Sequence, residues 1–130
     1  MKMKCDCPAA GLLSVRLGLA AVFITHGAMK LATVAATMAF FVKMGMPGWL
    51  GVVVGLIEIL GGVAMLLGVY MKYAGYALAA VMVGAILAVK WKMGFVGGWE
   101  SDFVLLTSAL GMAWTGAGEY SVKLPEKMKL

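Results

Sequence analysis

A carboxylate sits in the middle of an otherwise uncharged apolar run. Leu50 to Tyr70 reads LGVVVGLIEILGGVAMLLGVY, with Glu58 as its sole charge. About 20 apolar residues suffice for a helix to cross the hydrocarbon core, so this run is long enough to do so. A carboxylate at that depth costs about 2.5–3.5 kcal/mol on insertion scales and normally faces protein rather than lipid. On a helical wheel Gly51, Gly55, Glu58 and Gly62 fall within about 60° of one another. Glycines let a second helix approach closely, which makes this a packing face with an acid at its centre. Whatever the rest of the chain folds into must bring that acid a partner.

The composition agrees with a membrane setting. Of 130 residues, 63% are hydrophobic and 13% charged, whereas a soluble domain is about half apolar and a quarter charged. The net charge of +5 is carried mainly by lysines between and beyond the apolar runs, where they orient a membrane protein, and no nucleic-acid partner is implied. Eighteen glycines suit close helix packing in lipid, and twelve methionines suit the filling of irregular gaps. The expectation is one all-α integral membrane domain over residues 1–130. It is read as a four-helix bundle with spans at about 11–31, 50–70, 73–90 and 102–118 and tails at 1–10 and 119–130.

The N-terminal tail holds Cys5 and Cys7. Two thiols are too few for a zinc site, and a reduced, solvated tail is the simpler reading, with shared metal binding as a weak alternative. The first span comes next as GLLSVRLGLAAVFITHGAMKL with no small-residue cleavage site after it, so it is expected to be retained. Arg16, His26 and Lys30 lie within an arc of about 80° on it. Taken singly, Arg16 and Lys30 could snorkel to headgroups and His26 could be a packing histidine; their shared face argues for a polar site. Residues 32–48 are too broken to span, and their Met38, Phe40, Phe41, Lys43 and Met44 suit a short interfacial helix. Lys90, Trp91 and Lys92 mark the exit of the third span. Glu100 and Asp102 read as outer acids. The last span carries Ser108, Gly111, Thr115 and Gly118 as a packing stripe. Lysines at both tails and in the Met71-Lys72 turn favour cytoplasmic termini.

Adjacent antiparallel first and second spans would bring the charges together. Counted from their shared outer ends, Glu58 lies about 12 Å deep, His26 about 7 Å, Arg16 about 22 Å and Lys30 at the rim. His26 is the nearest expected partner, with Arg16 also within reach. The candidate site is therefore Arg16, His26, Lys30 and Glu58, with Gly51, Gly55, Gly62 and Gly111 as packing positions. The sequence assigns no catalytic group.

Several short motifs occur in a fixed order. Arg16 early in the first span is succeeded by HGxxK (His26, Gly27, Lys30), MGMPGW (Met44 to Trp49) and ExxGG (Glu58, Gly61, Gly62). The chain closes with GxGEYS (Gly116, Gly118, Glu119, Tyr120, Ser121). From about Leu12 to Leu124 this pattern resembles the DoxX family. The resemblance implies a small four-helix membrane protein related to the membrane subunits of thiosulfate:quinone oxidoreductase, with relatives in redox and sulfur-stress complexes. The Cys5-Asp6-Cys7 segment has no counterpart in that pattern.

Three functions compete. A quinone-interacting redox subunit would use an apolar slot for a tail and His26 and Glu58 at the head, with Arg16 and Lys30 tuning them. One His and two tail Cys do not form the usual haem or iron–sulfur ligand sets, and no flavin motif is present, so electrons would come from a soluble redox partner. A structural or assembly subunit, in which buried charges specify helix pairing, is the second reading, and either could homo-oligomerise. A small transporter is the third, disfavoured because the first pair of spans carries buried charge that the second pair largely lacks.

Overall fold

The computed structural model describes residues 7–129. Its five α-helices are α1 (Cys7–Ala32), α2 (Val34–Lys43), α3 (Trp49–Leu67), α4 (Met71–Ala85) and α5 (Glu100–Thr115). A π-turn over Ile86–Lys90 and a 3-10 turn over Trp91–Met93 extend α4, and no strand occurs among the described residues. Three helical stretches, Cys7–Ala32, Trp49–Leu67 and Met71–Met93, are long and apolar enough to cross a membrane. At 16 residues α5 falls short of that length. It packs along α4 nevertheless, and the order of packing is α1 on α3, α3 on α4, α4 on α5, with a light seam between α5 and α1.

Across an 18-residue apolar stretch of each candidate span, only 28–33% of the residues are buried within the chain. Leu60, Leu87, Val104 and Trp114 point outward instead. Apolar surface on that scale is the face a bilayer covers. The buried interior is thin, built from Leu19 and Phe23 of α1, Met65 of α3, Leu78 and Met82 of α4, and Ala109 and Met112 of α5.

Small residues set how closely these helices approach. A Cβ added at Gly27 of α1 would lie 2.7 Å from the Gly55 carbonyl oxygen of α3, and one at Gly62 would lie 2.7 Å from Ile24. Gly75 of α4 similarly accommodates the Ala109 carbonyl of α5, at 2.6 Å from such a Cβ. Backbone approaches of this kind let van der Waals contact and interhelical polar bonds substitute for a hydrophobic driving force absent in lipid. Gly51 serves another neighbour, lying beneath Thr37 and Phe41 of α2. Gly111 departs from expectation: nothing lies within 4 Å of its would-be Cβ, because α5 buries Asp102, Ala109 and Met112 instead. Gly27→Ala is therefore expected to lower stability by about 1–3 kcal/mol, since the close neighbour is backbone and cannot yield. Gly111→Ala should change it by less than about 0.5 kcal/mol. Thermal melting of both variants in one detergent checks the contrast.

The short helix α2 lies across the outer ends of α1 and α3. Thr37 donates to the Lys30 carbonyl at 3.0 Å, and Thr37 and Phe41 are its buried residues. Val34 and Val42 stay exposed, as an interfacial element requires.

A cavity walled by two ion pairs

Lys30 occupies the last turn of α1 and Glu58 the third turn of α3, an antiparallel neighbour. Side chains on a helix lean toward its N-terminus. Lys30 thus reaches down its own helix while Glu58 leans up toward the outer end, and the two converge. Lys30 Nζ donates to Glu58 Oε2 at 2.8 Å. The carboxylate side chain is 4% exposed and the lysine 25%. The acid found its partner in Lys30 rather than in His26. His26 lies one turn further back on α1, on the flank, where it is exposed and makes no hydrogen bond to a described residue.

Arg16 does not join this site. It is 1% exposed and lies at the opposite end of the bundle, bound by carbonyl oxygens alone. Its Nε donates to Met65 O at 2.8 Å, one terminal nitrogen to Leu66 O at 2.9 Å, and the other to Ala117 O and Tyr120 O. The last carbonyls of a helix lack intrahelical donors and carry partial negative charge, so a guanidinium there is well placed. Arg16 closes the end of α3 and draws the C-terminal segment onto it, and Val122 adds a backbone bond to Leu67 O at 2.9 Å. Gly68 makes room for it: its φ is +75°, and any Cβ would meet the guanidinium at 2.6 Å. The Arg16 and GxGEYS motifs are thus two halves of one clasp.

A second pair, with its acid buried and its lysine part-exposed, went unseen in the sequence. Lys90 Nζ lies 2.7 Å from Asp102 Oδ2, with side-chain exposures of 33% and 9%. The contact is close but off the hydrogen-bonding axis, and Asp102 Oδ2 has no well-oriented donor, so charge alone holds the pair. In unbroken α-helical register Lys90 would share a face with Tyr76, Val83 and Leu87, all of which are exposed. The π-turn inserts one residue and retards the helix beyond it by about 100°. Lys90 thereby takes the angular place of residue 89, in line with buried Leu78 and Met82. A straight-helix reading turns it to lipid for that reason. The charge asymmetry expected between the two helix pairs is also overturned: α1–α3 and α4–α5 each hold one lysine–carboxylate pair.

Both pairs open on a single cavity of about 600 Å³. His26, Lys30, Glu58, Lys90 and Asp102 supply its polar groups, and Phe40 and Phe41 of α2 also line it. Val54 and Ile57 of α3 and Ala77, Val81 and Ala85 of α4 form apolar walls. A second cavity, about 460 Å³, lies between α1 and α5 and shares His26, Lys90 and Asp102 with the first. A pocket of this size, mostly apolar with a few convergent polar groups, is what binding of a small organic molecule requires. The lysines are donors, the carboxylates acceptors, and an imidazole can serve as either.

Cys7 does not line the cavity. Cys7 opens α1 and is disulfide-bonded, contrary to the expected free thiol, while Cys5 lies outside the described residues. No group of three or more His, Cys, Asp or Glu able to hold a metal occurs among the described residues.

Apolar outward faces and paired charges around a cavity define an all-α membrane protein with a ligand-sized, mostly apolar chamber. The chain belongs to the DoxX family, whose model matches residues 11–91. Among curated proteins it is 34% identical over 107 residues to a Bacillus subtilis (strain 168) protein described as "Putative oxidoreductase CatD". That match covers 82% of this chain and 80% of the relative. No solved structure matches the chain.

Proposed function

We propose that the chain is a quinone- or lipophile-interacting subunit of a membrane redox complex. One observation carries this reading: the buried Glu58–Lys30 pair and the unpaired His26 face an apolar cavity of about 600 Å³ inside a membrane bundle. A lipophilic ring compound needs an apolar slot for its body and donors and acceptors at its head, and this cavity supplies both. The description of the Bacillus subtilis relative, "Putative oxidoreductase CatD", supports the same reading. In it, a soluble partner supplies electrons, and the chain crosses the membrane four times with both termini in the cytoplasm, α5 and the preceding loop making the last crossing. The test is extraction of the lipids from protein purified in mild detergent. A quinone in near-stoichiometric amount is expected, and Glu58→Gln should lower it along with quinone-linked activity of the assembled complex. Phospholipid alone, with full activity in Glu58→Gln, would overturn the proposal.

A structural role is the second reading, favoured by the fact that Lys30–Glu58 joins two helices that pack intimately. It expects Glu58→Gln to reduce the yield of folded protein without altering the rate of whatever folds.

A further inference from the structure

We infer that Lys90 and Asp102 form a second ligand-binding station, so that the cavity takes a neutral ring molecule bearing oxygens at both ends. The inference rests on the ligand-binding reading above and adds residues and selectivity to it. Three observations support it. First, the two ion pairs belong to opposite helix pairs, α1–α3 and α4–α5, yet line the same cavity. Second, Lys90 reaches that cavity only because a π-turn rotates it off the lipid face, and π-turns inside helices frequently mark functional sites. Third, Asp102 is 6% exposed and its Oδ2 lacks a well-oriented donor, whereas Glu58 Oε2 is properly bonded by Lys30. The Lys90–Asp102 contact is the one a ligand can reorganise at least cost: Lys90 can turn its ammonium to a ligand oxygen, and a ligand hydroxyl can donate to Asp102.

Charge balance narrows the ligand further. Each ion pair is itself neutral, so an anionic headgroup could engage either lysine only by displacing the carboxylate already paired with it. A flat neutral head with an oxygen at each end can instead engage Lys30 at one wall and Lys90 at the other. Quinones and hydroquinones belong to that class.

The test uses full-length protein in phosphatidylcholine nanodiscs and three probes: a decyl-substituted para-benzoquinone, a decyl-substituted phenol with one oxygen, and phosphatidylglycerol. Wild type should bind the benzoquinone more tightly than the phenol, and phosphatidylglycerol should not compete. Lys90→Met should weaken benzoquinone binding by about tenfold or more, the loss expected for one charged hydrogen bond, and leave the phenol unchanged. Because Lys90→Met strands Asp102, Lys90→Met/Asp102→Leu serves as the second variant, with thermal melting to establish its fold. Unchanged benzoquinone affinity in a folded Lys90 variant, with loss in folded Lys30→Met/Glu58→Leu, would overturn the second station alone. Competition by phosphatidylglycerol would overturn the selectivity for a neutral head. Failure of wild type to bind the benzoquinone would overturn both this inference and the redox reading.

Discussion

Arg16→Met is expected to lose about 3 kcal/mol or more of stability and to free the C-terminal segment. Four carbonyls, those of Met65, Leu66, Ala117 and Tyr120, share this one guanidinium. Hydrogen bonds to a charged group contribute about 1.5–3 kcal/mol each, less when lost together because removing the charge also relieves its burial. Against a total stability of about 5–15 kcal/mol, such a loss is large enough to reduce the folded fraction sharply. Arg16→Lys should recover little, since an ammonium is a point charge that cannot fan out to carbonyls from two segments. Thermal melting in detergent reads the first effect. Proteolysis near Lys123 and Lys127 reads the second, with faster cleavage expected in the variant. Wild-type melting and cleavage in Arg16→Met would show that the clasp contributes nothing.

The second large effect concerns Lys30 and Glu58. Removing one member of a buried pair leaves an uncompensated charge and costs about 3–5 kcal/mol, whereas replacing both by apolar residues is often neutral or stabilising. Lys30→Met should therefore melt far below wild type, because Glu58 is 3% exposed and cannot turn to water. Lys30→Met/Glu58→Leu should recover most of the loss. Full additivity of the two single losses would mean that the pair is not coupled in the folded protein. The cycle also separates stability from function, since the double variant keeps the helices and removes the Lys30–Glu58 part of the polar lining.

Much of this architecture is legible in the sequence because lipid imposes simple rules. An acid within an apolar run demands a partner, and glycines at its sides place another helix there; Gly55 and Gly62 do lie against α1. The broken, aromatic segment between the first spans becomes α2 for equally local reasons. Features that depend on side-chain reach or on departures from ideal helix geometry escape such rules. Axial depth favours His26 as the partner of Glu58, but the long, backward-leaning Lys30 covers the distance while His26 sits to one side. Arg16 shares a face with Lys30 on the wheel, yet the ends of one helix face different neighbours, and its receptors are backbone carbonyls that no side-chain pattern reveals. Lys90 is lost to the π-turn, which a periodicity of 3.6 residues cannot represent. Asp102 goes with it, since it reads as a loop acid unless Lys90 is known to face inward.

The most direct test of the cavity as the functional site is the small-molecule content of folded Lys30→Met/Glu58→Leu. Mass spectrometry of its extracted lipids, beside those of wild type at equal folded protein, should find the wild-type lipophile depleted by about tenfold or more, as loss of a charged head contact requires. An undiminished complement of the same molecule would contradict the account, for the chamber would then hold its occupant without the Lys30–Glu58 pair.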